Sequence, residues 1–259
     1  MRVLALDTAT EACSVALLSG DELIGRFAEL GRGHAQRILG MVDEVLAEAQ
    51  FSLSMLDGIA ASIGPGAFTG VRISVAVAQG LAFGAGLAVV PVTTLEALAL
   101  QVIQGSADRA LACLDARMGE VYWGCYAADP VRGVTAESAP RVGPAHTVAP
   151  AAARRHRGIG RGFAAYPALA ALPGLELDPR HAEALPNARE FARLGALRLS
   201  AGEGLDPAEL KPLYLRDKVA LTEAERAASK GAAAPKGTVP PKGAAAPKGT
   251  VPPAGRGAL

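Results

Sequence analysis

Three strands in immediate succession at the start of the chain narrow the fold more than any other feature. Apolar positions with period-two alternation predict strands over 3–7, 12–19 and 22–29, with Ser19-Gly20-Asp21 as the tight turn between the last two. A helix then follows over 34–49, its apolar residues Ile38, Met41, Val42, Val45 and Leu46 recurring on one face. A strand over 58–63 leads into the glycine-punctuated loop GPGAFTG at 64–70, which opens a helix over 71–83. The strand 87–92 and a helix over 95–104, capped by Thr94, complete the unit.

Strand–helix alternation by itself says only α/β. The initial three-stranded meander makes the order β-β-β-α-β-α-β-α, which is the chain order of the ribonuclease-H-like fold. A second unit begins near Asp108, with strands over 110–115 and 121–127 joined by Ala116-Arg117-Met118-Gly119-Glu120. Pro, Gly and Ala then blur the pattern up to about Pro186, before a clearer helix over 187–201. From Gly231 the chain repeats GAAAPKGTVPPK, with Lys230, Lys236, Lys242 and Lys248 recurring along it. Such a composition cannot bury enough surface to offset chain entropy, so 217–259 is expected to be a disordered low-complexity tail.

Charge excludes one class of function. The formal net charge is +1, against the clear basic excess that coating a nucleic acid requires. Arg154, Arg155, Arg157 and Arg161 form a local basic cluster, either solvated or turned to RNA phosphates. Cys13, Cys113 and Cys125 lack C-x-x-C spacing and sit in apolar, strand-like settings, so they read as reduced, buried thiols of a cytoplasmic protein. No charge occurs from Ile73 to Thr94, which is long enough to span a bilayer. Gly80, Gly84, Gly86 and Pro91 divide that stretch, and a buried helix and strand fit it better.

Two segments suggest chemistry. Asp7, Thr8 and Thr10 lie in the turn after the first strand, either satisfying backbone groups or approaching a bound phosphate. Gly64, Gly66 and Gly70 permit close backbone approach, and Thr69 and Arg72 stand at the start of a helix whose free N–H groups favour anions. Together these eight residues make a candidate vestigial nucleotide or anion contact. The loop has neither the Walker pattern nor a dinucleotide fingerprint, and no lysine serves it. His34, His146, His156 and His181 show no i, i+3 or i, i+4 spacing, so no helical metal site is expected. A G-x-S-x-G nucleophile elbow is also absent.

The segments MRVLALDTATEACSVALL, GHAQRILGMVDEVL, GPGAFTGVRI with AQGLA, DARMGEVYW and PLYLRDKVA, in this order over residues 1–220, resemble the TsaB (YeaZ) family. These are the dimerisation subunits of the bacterial machinery that makes threonylcarbamoyladenosine at position 37 of tRNAs. The resemblance implies α/β architecture with two actin-like (ribonuclease-H-like, ASKHA) domains, 1–104 and 105–216. It implies a scaffold without catalytic residues, metal or cofactor of its own, ATP and Mg²⁺ being used by partner subunits. Those partners are a TsaD-like catalytic subunit and a TsaE-like ATPase, with tRNA met through the complex, a homodimer when the partner is absent, and no membrane. The interface it implies is carried by the two first-domain helices, through His34, Arg37, Ile38, Met41, Val42, Val45, Ile73 and Val77. The alternative from a different class is a self-sufficient enzyme, either an actin-like nucleotide-dependent transferase or a glycoprotease-like peptidase.

Overall fold

The computed structural model describes residues 1–103, 108–150 and 154–216. The last residue of the expected third helix, Gln104, and the repetitive tail from 217 onward lie outside these residues.

Alternating residues drive the first layers. Strands β1 (Arg2–Asp7), β2 (Ala12–Ser19) and β3 (Glu22–Glu29) form the antiparallel meander expected from their pattern. Strands β4 (Gly58–Ser62) and β5 (Ala88–Val92) add in parallel, for a sheet order β3-β2-β1-β4-β5. Leu4, Leu6, Val15, Leu17 and Ile59 point to one face, where helices α1 (His34–Ala49) and α2 (Phe68–Ala85) cover them. Val3, Ala5, Ala16, Ala60 and Val90 point to the other. Both faces are buried, as parallel sheets require.

The second sheet repeats this plan. Strands β6 (Arg109–Arg117) and β7 (Glu120–Asp129) pair antiparallel, and β8 (Gly133–Ala136) and β9 (Arg141–Pro144) pair with successive parts of β7. Strands β10 (His156–Ile159) and β11 (Leu175–Glu176) extend β6 in parallel, so β8-β7-β6-β10-β11 reproduces the order of the first sheet. Short helices α4 (Gly162–Ala165) and α5 (Pro179–Ala182) follow. The architecture is thus two ribonuclease-H-like sheets in one α/β chain.

Two helices lie between the sheets and give them a common core. α3 (Thr94–Ile103) packs on β6 and β7, and α6 (Ala188–Ser200) returns to pack on β1, β2 and β4. Phe191 and Leu194 of α6 join Val3, Ala5 and Val90 of the first sheet with Ala112, Tyr126 and Ile159 of the second in one cluster. The change of sheet near residue 104 therefore does not separate two cores. Asn187 caps α6 by accepting from the Arg189 N–H, and the Ser14 hydroxyl accepts from the Ala188 N–H at 3.0 Å, pinning that end to β2. At the far end Arg198, nearly buried, donates to Glu96 at 2.6 Å and to the Pro91 carbonyl at 3.0 Å. Glu96 in turn accepts from the Thr93 N–H and hydroxyl, so the charge pair is tied into the start of α3.

Phe191 is fully buried in this shared core. Phe191→Ala is expected to cost about 3–5 kcal/mol. Denaturant unfolding followed by far-UV dichroism and by fluorescence of Trp123, on the second sheet, should show both transitions shifted together. A Trp123 transition left in place would mean that the sheets have separate cores.

Candidate functional site

The turn after β1 and the glycine loop after β4 lock into one another. The Thr8 hydroxyl donates to the Gly70 carbonyl at 2.7 Å, the Ala67 N–H donates to the Ala9 carbonyl at 2.7 Å, and the Ser74 hydroxyl donates to the Leu6 carbonyl at 3.3 Å. A Cβ on Gly66 would fall on the Ala9 carbonyl oxygen, and one on Gly70 on the Thr8 carbonyl oxygen. Glycine is needed at both because backbone approaches there. A second clamp holds the loop's start, where the Thr94 N–H donates to the Gly64 carbonyl and its hydroxyl to the Pro65 carbonyl. Held in this way, Phe68, Thr69 and Gly70 already form the first turn of α2, three residues earlier than the sequence pattern places it.

The space a side chain at Gly66 or Gly70 would take is filled by this chain's own backbone, the Ala9 and Thr8 carbonyls. Asp7, Thr8, Gly64 and Gly70 are buried, Thr10 turns its hydroxyl to the Ala12 N–H, and Thr69 is exposed. Arg72 lies over the Phe68 ring, 3.6 Å from its centroid, and donates to the Tyr214 hydroxyl at 2.8 Å. The Asp7 carboxyl is fully buried; Oδ1 accepts from the Ala9 N–H, and among the described residues Oδ2 has no partner in hydrogen-bond geometry. Burial pushes Asp7 up to about 6, and the Ala9 N–H, the Ser62 hydroxyl and His34 pull it back only in part. Ser62 Oγ and His34 Nε2 also lie buried near it.

Ion pairs join the two halves beside this turn: Glu11 pairs with Arg117 at 2.9 Å, and Glu29 takes both terminal nitrogens of Arg161 at 2.7 and 3.0 Å. Arg216, on the C-terminal segment, pairs with Glu120. A cleft of about 330 Å³ next to the Glu29–Arg161 pair is lined by Glu29, Glu183 and Glu190 against the single guanidinium of Arg161. Burial raises the Glu190 carboxyl of this cleft to about 7. The basic cluster is likewise engaged, Arg154 with Glu137, Arg155 with Glu176 and Arg161 with Glu29.

The helix pair differs from expectation in which side faces out. Ile38, Met41, Val42 and Val45 are buried against the first sheet, so these four side chains are core and not a partner surface. His34, Ile73 and Val77 are half-buried, and Arg37 is exposed and paired with Glu44 at 2.6 Å. The outward face of α1 carries Ala35, Gln36 and Leu39; that of α2 carries Ala76, Gly80, Phe83 and Gly84. Leu39 is 49% and Phe83 60% exposed, and a Cβ on Gly80 or Gly84 would meet open space. α2 is long and apolar enough to cross a membrane, but only a third of it is buried here, with Val71, Val75, Ala78 and Ala82 on the sheet. A helix without a charge from Ile73 to Ala85 thus presents an apolar surface.

Comparison with known proteins decides the family. A family model described as TsaD, tRNA N6-adenosine threonylcarbamoyltransferase, matches residues 28–141. The protein named tRNA threonylcarbamoyladenosine biosynthesis protein TsaB in Escherichia coli is 39% identical over 225 residues, covering 85% of this chain and 96% of that one. Its namesake in Haemophilus influenzae is 37% identical over 232 residues, covering 85% and 95%. The chain belongs to the TsaB family. A crystal structure titled YeaZ from Pseudomonas aeruginosa, 41% identical, superposes on this TsaB-family fold with a TM-score of 0.76, covering 83% of this chain and 99% of that one.

An ionised carboxylate at Asp7 is a burden on this TsaB-family fold. Its carboxyl, raised from 3.8 to about 6, favours folding while protonated, and that contribution is lost as pH rises through about 6. Asp7→Asn keeps the acceptor for the Ala9 N–H and removes the buried charge. It should stabilise by about 3 kcal/mol above pH 7, with the gain shrinking toward zero below pH 4. Thermal unfolding of both proteins across this range checks it, and a gain independent of pH would contradict the assignment.

Proposed function

We propose that this chain is a non-catalytic scaffold and activator subunit for threonylcarbamoylation of adenosine 37 in tRNAs, acting in the cytoplasm. Its family supports the pathway, since relatives over most of its length are named for tRNA threonylcarbamoyladenosine biosynthesis. The observation that carries the scaffold reading is the exposed apolar face of α2 beyond Arg72, with Ala76, Gly80, Phe83 and Gly84, together with the exposed Leu39 of α1. Small residues flanking an exposed aromatic suit close helix–helix packing, with Phe83 as the anchor and Arg37 at the rim. The occupant is a TsaD-like catalytic subunit, or a second copy of this chain when that partner is absent. A TsaE-like ATPase joins the pair, tRNA is met through the complex, and ATP and Mg²⁺ are used by the partner subunits. The packed glycine loop fits this division of labour, because Gly66 and Gly70 make room for the Ala9 and Thr8 carbonyls of this chain.

Leu39→Glu and Phe83→Glu test the surface without touching the core. Each should leave the melting temperature within about 2 °C of the parent, since exposed positions contribute little to stability. Each should weaken co-purification with the TsaD-like subunit by at least about 30-fold, as loss of an interface anchor does. Modified tRNA in the reconstituted reaction should fall in parallel. A complex that survives both changes would overturn the surface, and robust ATP hydrolysis or peptidase activity by the chain alone would overturn the non-catalytic role.

A further inference from the structure

The outer face of the second sheet carries a cluster that no motif spacing reveals. Cys125 on β7, Glu137 just past β8 and His156 at the start of β10 place one sulfur, one carboxylate oxygen and one ring nitrogen within 4.8 Å of one another. Cys125 and His156 are buried, at 5% and 1% exposure, and the Glu137 side chain is 18% exposed. The Glu137 N–H donates to the Cys125 carbonyl at 2.9 Å, which fixes the carboxylate beside the thiol. His156 Nε2 lies 2.8 Å from Glu137 Oε2, while its Nδ1 lies 3.2 Å from the Arg154 carbonyl. The other carboxylate oxygen, Oε1, accepts from Arg109 at 2.8 Å and Arg154 at 3.2 Å.

We propose that Cys125, Glu137 and His156 form a binding site for a borderline-soft divalent cation of the Zn²⁺ type. The donor set of one thiolate, one imidazole and one carboxylate suits that ion, and three protein ligands leave a fourth position to water. Both ring nitrogens of His156 face acceptors, Nε2 the Glu137 carboxylate and Nδ1 the Arg154 carbonyl. Coordination takes the sulfur as thiolate, so the thiol proton leaves as the ion enters, and the thiolate and carboxylate charges offset the two guanidiniums beside the site. The Glu137 Oε2 turns from His156 Nε2–H to the metal, while Oε1 stays on the two arginines. The Nδ1–H stays on the Arg154 carbonyl and holds the ring's orientation, as second-shell partners of metal-bound histidines do. The ion would staple β7, the end of β8 and β10 across the sheet.

The full-length protein without an affinity tag, stripped with chelator, would be titrated with Zn²⁺ by calorimetry in two buffers of different ionisation enthalpy. One Zn²⁺ per chain, bound with release of protons, is expected. Co²⁺ in its place should give a thiolate-to-metal charge-transfer band and tetrahedral d–d bands. Cys125→Ser should abolish the charge-transfer band, and Cys13→Ser and Cys113→Ser should keep it. His156→Gln should weaken Zn²⁺ binding by more than the roughly 100-fold that second-shell changes reach. Absence of saturable binding, heats independent of buffer, or a thiolate band that persists in Cys125→Ser would each overturn the site. The wild-type cobalt spectrum settles the thiolate ligand even if a variant fails to fold.

Discussion

The close seating of the Asp7–Thr10 turn on the glycine loop organises the first half of the molecule. Thr8 and Ala9 present carbonyl oxygens where side chains at Gly66 and Gly70 would otherwise stand, and the Thr8 hydroxyl and Ala67 N–H close the contact. Because backbone meets backbone there, the approach is set by covalent geometry more than by adjustable side chains. It fixes where α2 begins and so which of its residues reach the sheet. Thr94 ties the other end of the loop to α3, so one loop positions the helix on each side of the first sheet.

Duplication of the strand order sets a second constraint. Each sheet buries both faces, and the two inner faces share α3 and α6. The Arg198–Glu96 pair sits where those helices meet the end of β5, and its hydrogen bonds to Thr93 and Pro91 satisfy groups that burial would otherwise strand. A pair of that kind specifies how α6 docks more than it adds stability, because desolvation offsets much of its attraction. On the other side, the Glu29–Arg161 ion pair ties β3 of the first sheet to the segment after β10 of the second.

The helices on the outer face of the first sheet carry an exposed apolar surface. On α1, Arg37 pairs with Glu44, and Arg26 of β3 reaches Glu44 and Glu48. On α2 the one charged residue, Arg72, is engaged with Phe68 and Tyr214, and Phe83 and the open glycines lie beyond it. The buried Asp7 adds a stability cost at neutral pH on the opposite, inner end of the same helix pair.

Periodicity in the sequence was enough to locate β1 to β5, α1 to α3 and α6 within a few residues, because period-two and 3.6-residue patterns are local consequences of which face is buried. The glycine loop and the order of segments were enough to indicate the family. Sequence alone did not determine orientation among neighbours. The stripe Ile38, Met41, Val42 and Val45 is apolar whether it meets a sheet or a partner, and only the packed structure assigns it to the core and leaves Leu39 and Phe83 outside. The glycines at 66 and 70 show that something approaches closely, but not that the visitor is the Thr8–Ala9 backbone. Arg154, Arg155 and Arg161 look like one basic patch along the chain, yet pair with carboxylates on three separate segments. Cys125, Glu137 and His156 carry no spacing signal, because three strands of a sheet bring them together from separate parts of the chain. Local pattern encodes burial; which atoms meet across the fold is decided by strand order and register, which no local pattern contains.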